Sequence, residues 1–245
     1  MKIHGICSYN GTRYSGWQKQ TNDPSIQKEI EKVVSTILNT DTTIQGSGRT
    51  DAGVHAIRQH FHFEVKNDKV VDLQKLTYSM NSMLPSDIKI LALEAVKDDF
   101  HARFSAKGKR YVYRISKEAK NPFKENLVWL NPQPFDIALF KTALKMFEGT
   151  HNFQDFTSKE EDETNFVRTV SKVEVNEQND EISITFEGDG FMRYQIRYMI
   201  GTAFAVATKE IEISFIEKHL NNEKTREIIH YKAPSQGLYL DEVFY

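Results

Sequence analysis

Residues 46–56 read GSGRTDAGVHA, a turn of glycines, one arginine and one aspartate set between strand-like runs. The string constrains the backbone because glycine supplies the sharp bends while a carboxylate, Asp51, is kept beside a guanidinium, Arg49. So costly a turn points to chemistry. Its spacing, GxGxxxxG, is neither the dinucleotide GxGxxG nor a phosphate loop ending in GK[ST], so nucleotide-cofactor binding is a weak reading. An isolated RTD tripeptide would read as a helix cap, but the eleven-residue string asks for more.

The surrounding pattern alternates strands and helices. IHGICSY reads as a strand and is followed by the glycine-containing turn NGTRYSGWQKQ. Asp23 then serves as an N-cap with Pro24 at the first helical position, and Ile26, Ile30, Val33, Val34, Ile37 and Leu38 form an apolar stripe. RQHFHFEV alternates, with Phe61, Phe63 and Val65 on one face and His60, His62 and Glu64 on the other. A helix using Leu73, Leu76, Met80 and Leu84 ends before Pro85, and DIKILALEAV is a strand. This is the split βαβ plan of a ferredoxin-like unit.

The second half repeats the plan loosely. RYVYRI is a strand; FDIALFKTALKMFEG is a helix capped by Asp136, with Phe140, Leu144 and Phe147 on one face and Gly149 as its stop. KVEVNEQNDEISITFEG is a hairpin, FMRYQIRYMIGTAFAVA an apolar helix and GLYLDEVFY a closing strand. The expected fold is α+β: two ferredoxin-like halves, residues 1–104 and 105–245, sharing a mixed, mostly antiparallel sheet flanked by helices. The acidic stretch 158–163, SKEEDE, reads as a surface loop with no assigned function.

Charge and cysteine content bound the partners. The net charge of −2 by itself argues against nucleic acid, yet residues 101–135 hold eight basic side chains against two acidic ones. Tyr111 and Tyr113 lie among those cations, a mixture suited to phosphate tracking and base stacking, although a strand edge guarded by lysines would look the same on charge alone. The single cysteine, Cys7, excludes an internal disulfide, and no signal peptide or membrane span is evident, so a cytoplasmic setting without a membrane partner is expected. His55, His60 and His62 suggest zinc, but no carboxylate or thiol completes a ligand shell, so the histidines read as solvent-facing and no metal is expected. A glycosidase-like carboxylate pair is also absent around Asp51.

GSGRTDAGVHA, with YNGTRYSGWQKQ and SIQKEIEK before it and NSMLPSDI, FHARFSAKGKRYVYRI, RTV, FMRYQIRYMIG and APSQGLYL after it, resembles the tRNA pseudouridine synthase A family over nearly the whole chain. The resemblance implies the pseudouridine synthase fold and isomerisation of uridine to pseudouridine at positions 38, 39 and 40 of the tRNA anticodon stem-loop. It also implies a homodimer that uses neither cofactor nor metal. Asp51 matches the catalytic aspartate, whose chemistry is open to attack on the ribose anomeric carbon, attack on the uracil ring, or shepherding of the base as it leaves, and Arg197 matches its ion-pair partner. Tyr111 matches the tyrosine that packs on the target base, Arg49 the arginine that holds a flipped uridine, and Leu238 an apolar residue of the uracil pocket. Lys109 and Arg110 are expected on the tRNA path. Departures are IRYMIG with Tyr198, HNFQDF near residue 151, and the acidic total charge. None removes a predicted catalytic residue, and they leave as an alternative a paralogue with altered uridine choice. A tRNA-binding or RNA-chaperone protein of the same fold without chemistry is a second alternative; loss of Asp51, Tyr111 or Arg197 would favour it, and all three are present.

Overall fold

The computed structural model describes residues 1–65, 71–158, 165–221 and 229–245. In chain order the elements are β1 (Lys2–Tyr9), α1 (Ile26–Leu38), β2 (Gln45–Gly46), β3 (His55–Glu64), α2 (Leu73–Met83), β4 (Ile88–Val96), β5 (Gly108–Ser116) and β6 (Trp129–Leu130). They continue with α3 (Ile137–Lys145), β7 (Gly149–Asn152), β8 (Val167–Gln178), β9 (Glu181–Gly188), α4 (Gln195–Ala207), α5 (Ser214–Leu220) and β10 (Leu238–Phe244). Two compact units result, one of Met1–Lys107 with Tyr239–Tyr245, the other of Gly108–Leu238. The class is α+β, as the alternation of elements predicts. The acidic stretch 158–163 lies, apart from Ser158, outside the described residues.

In the first unit β1 pairs antiparallel with both β3 and β4, and the short β2 pairs antiparallel with β3. The resulting order β4-β1-β3-β2 is the ferredoxin-like arrangement. β10 adds to it by running parallel to β3 at Tyr239 and Leu240. The α1 stripe is as expected, with Ile26, Ile30, Val33, Val34 and Leu38 buried, but its start is not. Ser25, rather than Asp23, holds the cap position, without a side-chain cap bond. The first-turn donors go instead to main chain: Ile26 N to Gly16 O at 3.2 Å and Gln27 N to Trp17 O at 3.0 Å. With those two donors taken by main chain and Ser25 at the cap position, Asp23 lies outside the helix and is exposed.

β3 is buried on both faces, which corrects the reading of its histidines as solvent-facing. Phe61, Phe63 and Val65 fill one side, while His60 and His62 are only 4 % and 5 % exposed on the other. Polar rings tolerate that burial because each finds partners. His60 Nδ1 meets His4 Nε2 at 2.9 Å and its Nε2 meets Glu242 Oε1 at 3.2 Å; His62 Nδ1 accepts from Ala102 N at 3.1 Å. Phe100 and Tyr245 cover them, the Tyr245 ring 5.3 Å from that of His60.

In the second unit β5, β9, β8 and β7 form an antiparallel run, with β6 parallel to β5. Asp136 caps α3 by accepting from Leu139 N at 3.0 Å, as predicted. The helix closes at Lys145, before the expected stop; Gly149 instead opens β7. α4 starts at Gln195, four residues later than the apolar run suggests, because Tyr194 takes the left-handed conformation and Gln195 folds back onto Met192 through two hydrogen bonds. α3 packs on α4, with Phe140 edge-on to Phe204.

Candidate active site

The turn that carries Asp51 is gripped along its length. Ser47 Oγ donates to Gln59 Oε1 at 2.7 Å, and Gln59 Nε2 donates to Gly48 O at 3.0 Å. The buried Thr50 is bound at both ends: its hydroxyl meets Tyr9 Oη at 2.8 Å, and its carbonyl accepts from Trp17 N at 3.1 Å. Past the aspartate, Val54 N returns to Asp51 O at 3.1 Å across Gly53, whose φ of 77° suits glycine. The loop of residues 10–18 lies directly against this turn. Gly16, at φ 95°, approaches so closely that a Cβ there would overlap the Thr50 carbonyl oxygen. The outer side of that loop is tied to Asp87, which accepts from Arg13 Nε at 2.8 Å and Tyr14 Oη at 2.7 Å. Asp51 thus sits, half-buried, on backbone with little freedom to move.

Arg49 shares the turn but is exposed, and its Nε donates to Gln18 Oε1 at 3.2 Å. A polar chain continues inward: Gln18 Nε2 to Gln27 Oε1 at 2.8 Å, then Gln27 Nε2 to Glu31 Oε1 at 3.0 Å. Gln27 and Glu31, one helical turn apart on the buried side of α1, escaped the sequence reading as partners of the Arg49 loop; polar residues inside an apolar stripe were the available signal. His55 is buried next to the turn, its Nδ1 accepting from Gly11 N at 3.1 Å and its ring stacked 4.6 Å from Tyr239. Among the described residues no three His, Cys, Asp or Glu side chains form a group that would hold a metal. Cys7 is buried, and desolvation pushes its thiol far up, into the protonated form.

The second unit carries the remaining predicted residues. Lys109, Arg110 and Tyr111 are consecutive on β5; Tyr111 is buried edge-on to Phe191 at 5.4 Å, and Arg110 Nε donates to Glu187 Oε1 at 2.9 Å. Arg197, in the first turn of α4, is half-buried and grips Ala233 twice: its Nε donates to Ala233 O at 2.8 Å and its carbonyl accepts from Ala233 N at 2.9 Å. The next carbonyl, Pro234 O, accepts from Tyr113 Oη at 2.8 Å. Tyr113 is fully buried and desolvation raises its phenol well above the ordinary range, so it remains a donor. These two grips fix the segment that leads through the short Ser235–Gly237 turn to the buried Leu238. Arg197 and the approach to Leu238 are therefore brought together. Tyr113 was seen in the sequence only as one of two aromatics among cations.

A family profile described as tRNA pseudouridine synthase matches residues 6–105 and 143–245. The chain is similar to "tRNA pseudouridine synthase A" of Streptococcus sanguinis, with 36 % identity over 100 % of this chain and 98 % of that one. The protein of the same name from Streptococcus pneumoniae is 34 % identical over 97 % of this chain and 96 % of its own length. Among solved structures it is similar to a Cbf5-Nop10-Gar1 complex at a TM-score of 0.38 and 16 % identity, covering 83 % of this chain and 45 % of that one. The chain belongs to the tRNA pseudouridine synthase A family.

Proposed function

We propose that this tRNA pseudouridine synthase acts on uridines 38, 39 and 40 of the anticodon stem-loop, with Asp51 as the nucleophile toward a flipped-out nucleoside. The isomerisation breaks the bond from uracil N1 to ribose C1′ and forms one from C5 to C1′, while C5 loses a proton and N1 gains one. No electrons are transferred and no group enters from outside, so one carboxylate with a proton acceptor is chemically sufficient. Asp51 bonds to the substrate, at the anomeric carbon or on the ring, and so allows the base to turn before it is rejoined. Arg197 is proposed to keep Asp51 ionised, since a desolvated carboxylate without a cation takes up a proton. Tyr111 packs on the base and assists removal of the C5 proton. Arg49 holds the extruded nucleoside, whose unstacking costs a few kcal/mol, and Leu238 lines the uracil pocket. Lys109 and Arg110 follow the tRNA backbone, and the working form is a cytoplasmic homodimer without a cofactor.

The observation that supports this reading most is the double anchoring of Thr50 immediately before Asp51. A nucleophile must wait in attack geometry, and rigid backbone supplies that at low entropic cost. The test is to incubate the purified protein with unmodified tRNA and map pseudouridine through a chemical adduct that stops reverse transcription. Stops at 38, 39 and 40 are expected. Stops confined to other uridines would replace the site assignment with a different one, and bound tRNA without any stops would reduce the protein to a binder.

A further inference from the structure

The start of α4 and the segment before Ala233 gather three cations about one ring. The Lys232 ammonium lies 4.4 Å from the centre of the Tyr194 ring and 5.8 Å from that of Tyr198. The guanidinium carbons of Arg193 and Arg197 lie 4.9 Å and 5.3 Å from the Tyr194 centre. The Arg193 guanidinium and the Lys232 ammonium are thus within about one Debye length, ~10 Å at 0.1 M salt, where like charges oppose each other. A ring attracts cations at its faces by only ~0.5–1 kcal/mol in an exposed setting. The backbone adds its own cost, since Tyr194 takes a left-handed conformation, φ 63° and ψ 0°, at ~1–3 kcal/mol for a residue with a side chain. α4 begins at the next residue with no side-chain cap and no acid in its first turn, so the positive end of its dipole lies at the same place. Lys232 is exposed, and no carboxylate among the described residues pairs with it.

We propose that this cluster binds a phosphate of the RNA backbone, with Lys232 as the charge and Tyr194 and Tyr198 as the faces that hold the ammonium in place. The chemistry suits a phosphodiester rather than a base edge, because an ammonium offers donors without the planar pattern that reads bases. The inference rests on the tRNA reading above and adds a contact to it. Within the basic 101–135 segment several cations are already matched: Arg110 with Glu187, Lys117 with Glu177, and Lys124 with Glu118 and Glu181. Lys232 lies outside that segment and brings a charge that no such pair among the described residues offsets.

The test measures affinity of the full chain for unmodified tRNA between ~50 and ~200 mM salt, for the parent, Lys232→Gln and Lys232→Arg. Lys232→Gln is expected to weaken binding ~3–10-fold at ~100 mM salt and to lower the log–log salt slope by about one, while Lys232→Arg keeps both near the parent values. Single-turnover pseudouridine formation at saturating tRNA should stay within about twofold, since the contact is to phosphate and not to the reacting base. A Lys232→Gln variant with the parent's affinity and slope overturns the proposal and leaves the cluster as packing within the protein. A parent that binds tRNA without modifying it overturns the assigned reaction alone, and one that binds no tRNA overturns both.

Discussion

Asp51 draws its setting from the residues that hold its turn. Thr50 is held from β1 and from Trp17, and the close approach of Gly16 lets the two loops meet. Gly16→Ala would add a Cβ where the Thr50 carbonyl lies and force a left-handed alanine, so a loss of ~1–3 kcal/mol in urea unfolding is expected, with slower single-turnover product formation. Tyr113→Phe removes the donor to Pro234 O at a buried site and should cost ~1–3 kcal/mol. At this scale the constrained turn around Asp51 was legible, because glycines gathered about a lone aspartate ask for tight backbone. Tyr113 was not, since its acceptor is 121 residues away and no local pattern encodes it. The burial of His60 and His62 was hidden for a similar reason: alternation assigns residues to faces, while Phe100 and Tyr245 decide what covers a face.

Among the elements, the two predicted caps behave differently. Asp136 makes its bond to Leu139 N, whereas Asp23 lies outside a helix whose first donors are taken by Gly16 and Trp17. Asp136→Ala should therefore lower stability by ~1 kcal/mol and Asp23→Ala by less than ~0.3 kcal/mol, read as denaturant midpoints at constant slope. Equal losses would contradict the assigned start of α1. Long periodic elements were readable from sequence, as the α1 stripe and the β8–β9 hairpin demonstrate. The four-residue β7, the seven-residue α5 and the two-residue β6 were not, because so few residues cannot establish a period.

At the scale of the whole molecule, the α+β plan followed from element order, but the return of residues 239–245 to the first unit did not. The parallel pairing of β10 with β3 joins positions far apart in sequence, and alternation carries no information about partners. Two buried histidines of that unit contribute to the acid response of the fold. Burial, with His4 beside it, lowers the His60 pKa, and burial with His101 nearby pushes His62 down to about 4. The unfolded chain then binds more protons than the folded one below the ordinary histidine value of ~6.5, so stability is full above that pH and declines as pH falls toward about 4. Urea midpoints between pH 7 and 4 should follow this slope, and His62→Gln, which keeps an acceptor near Ala102 N, should reduce it.

The central claim, that one carboxylate performs the isomerisation, is tested most directly by Asp51→Asn, which keeps shape and removes charge. The account predicts that this variant still binds tRNA but forms no pseudouridine in single turnover; product formed at the parent rate would contradict it.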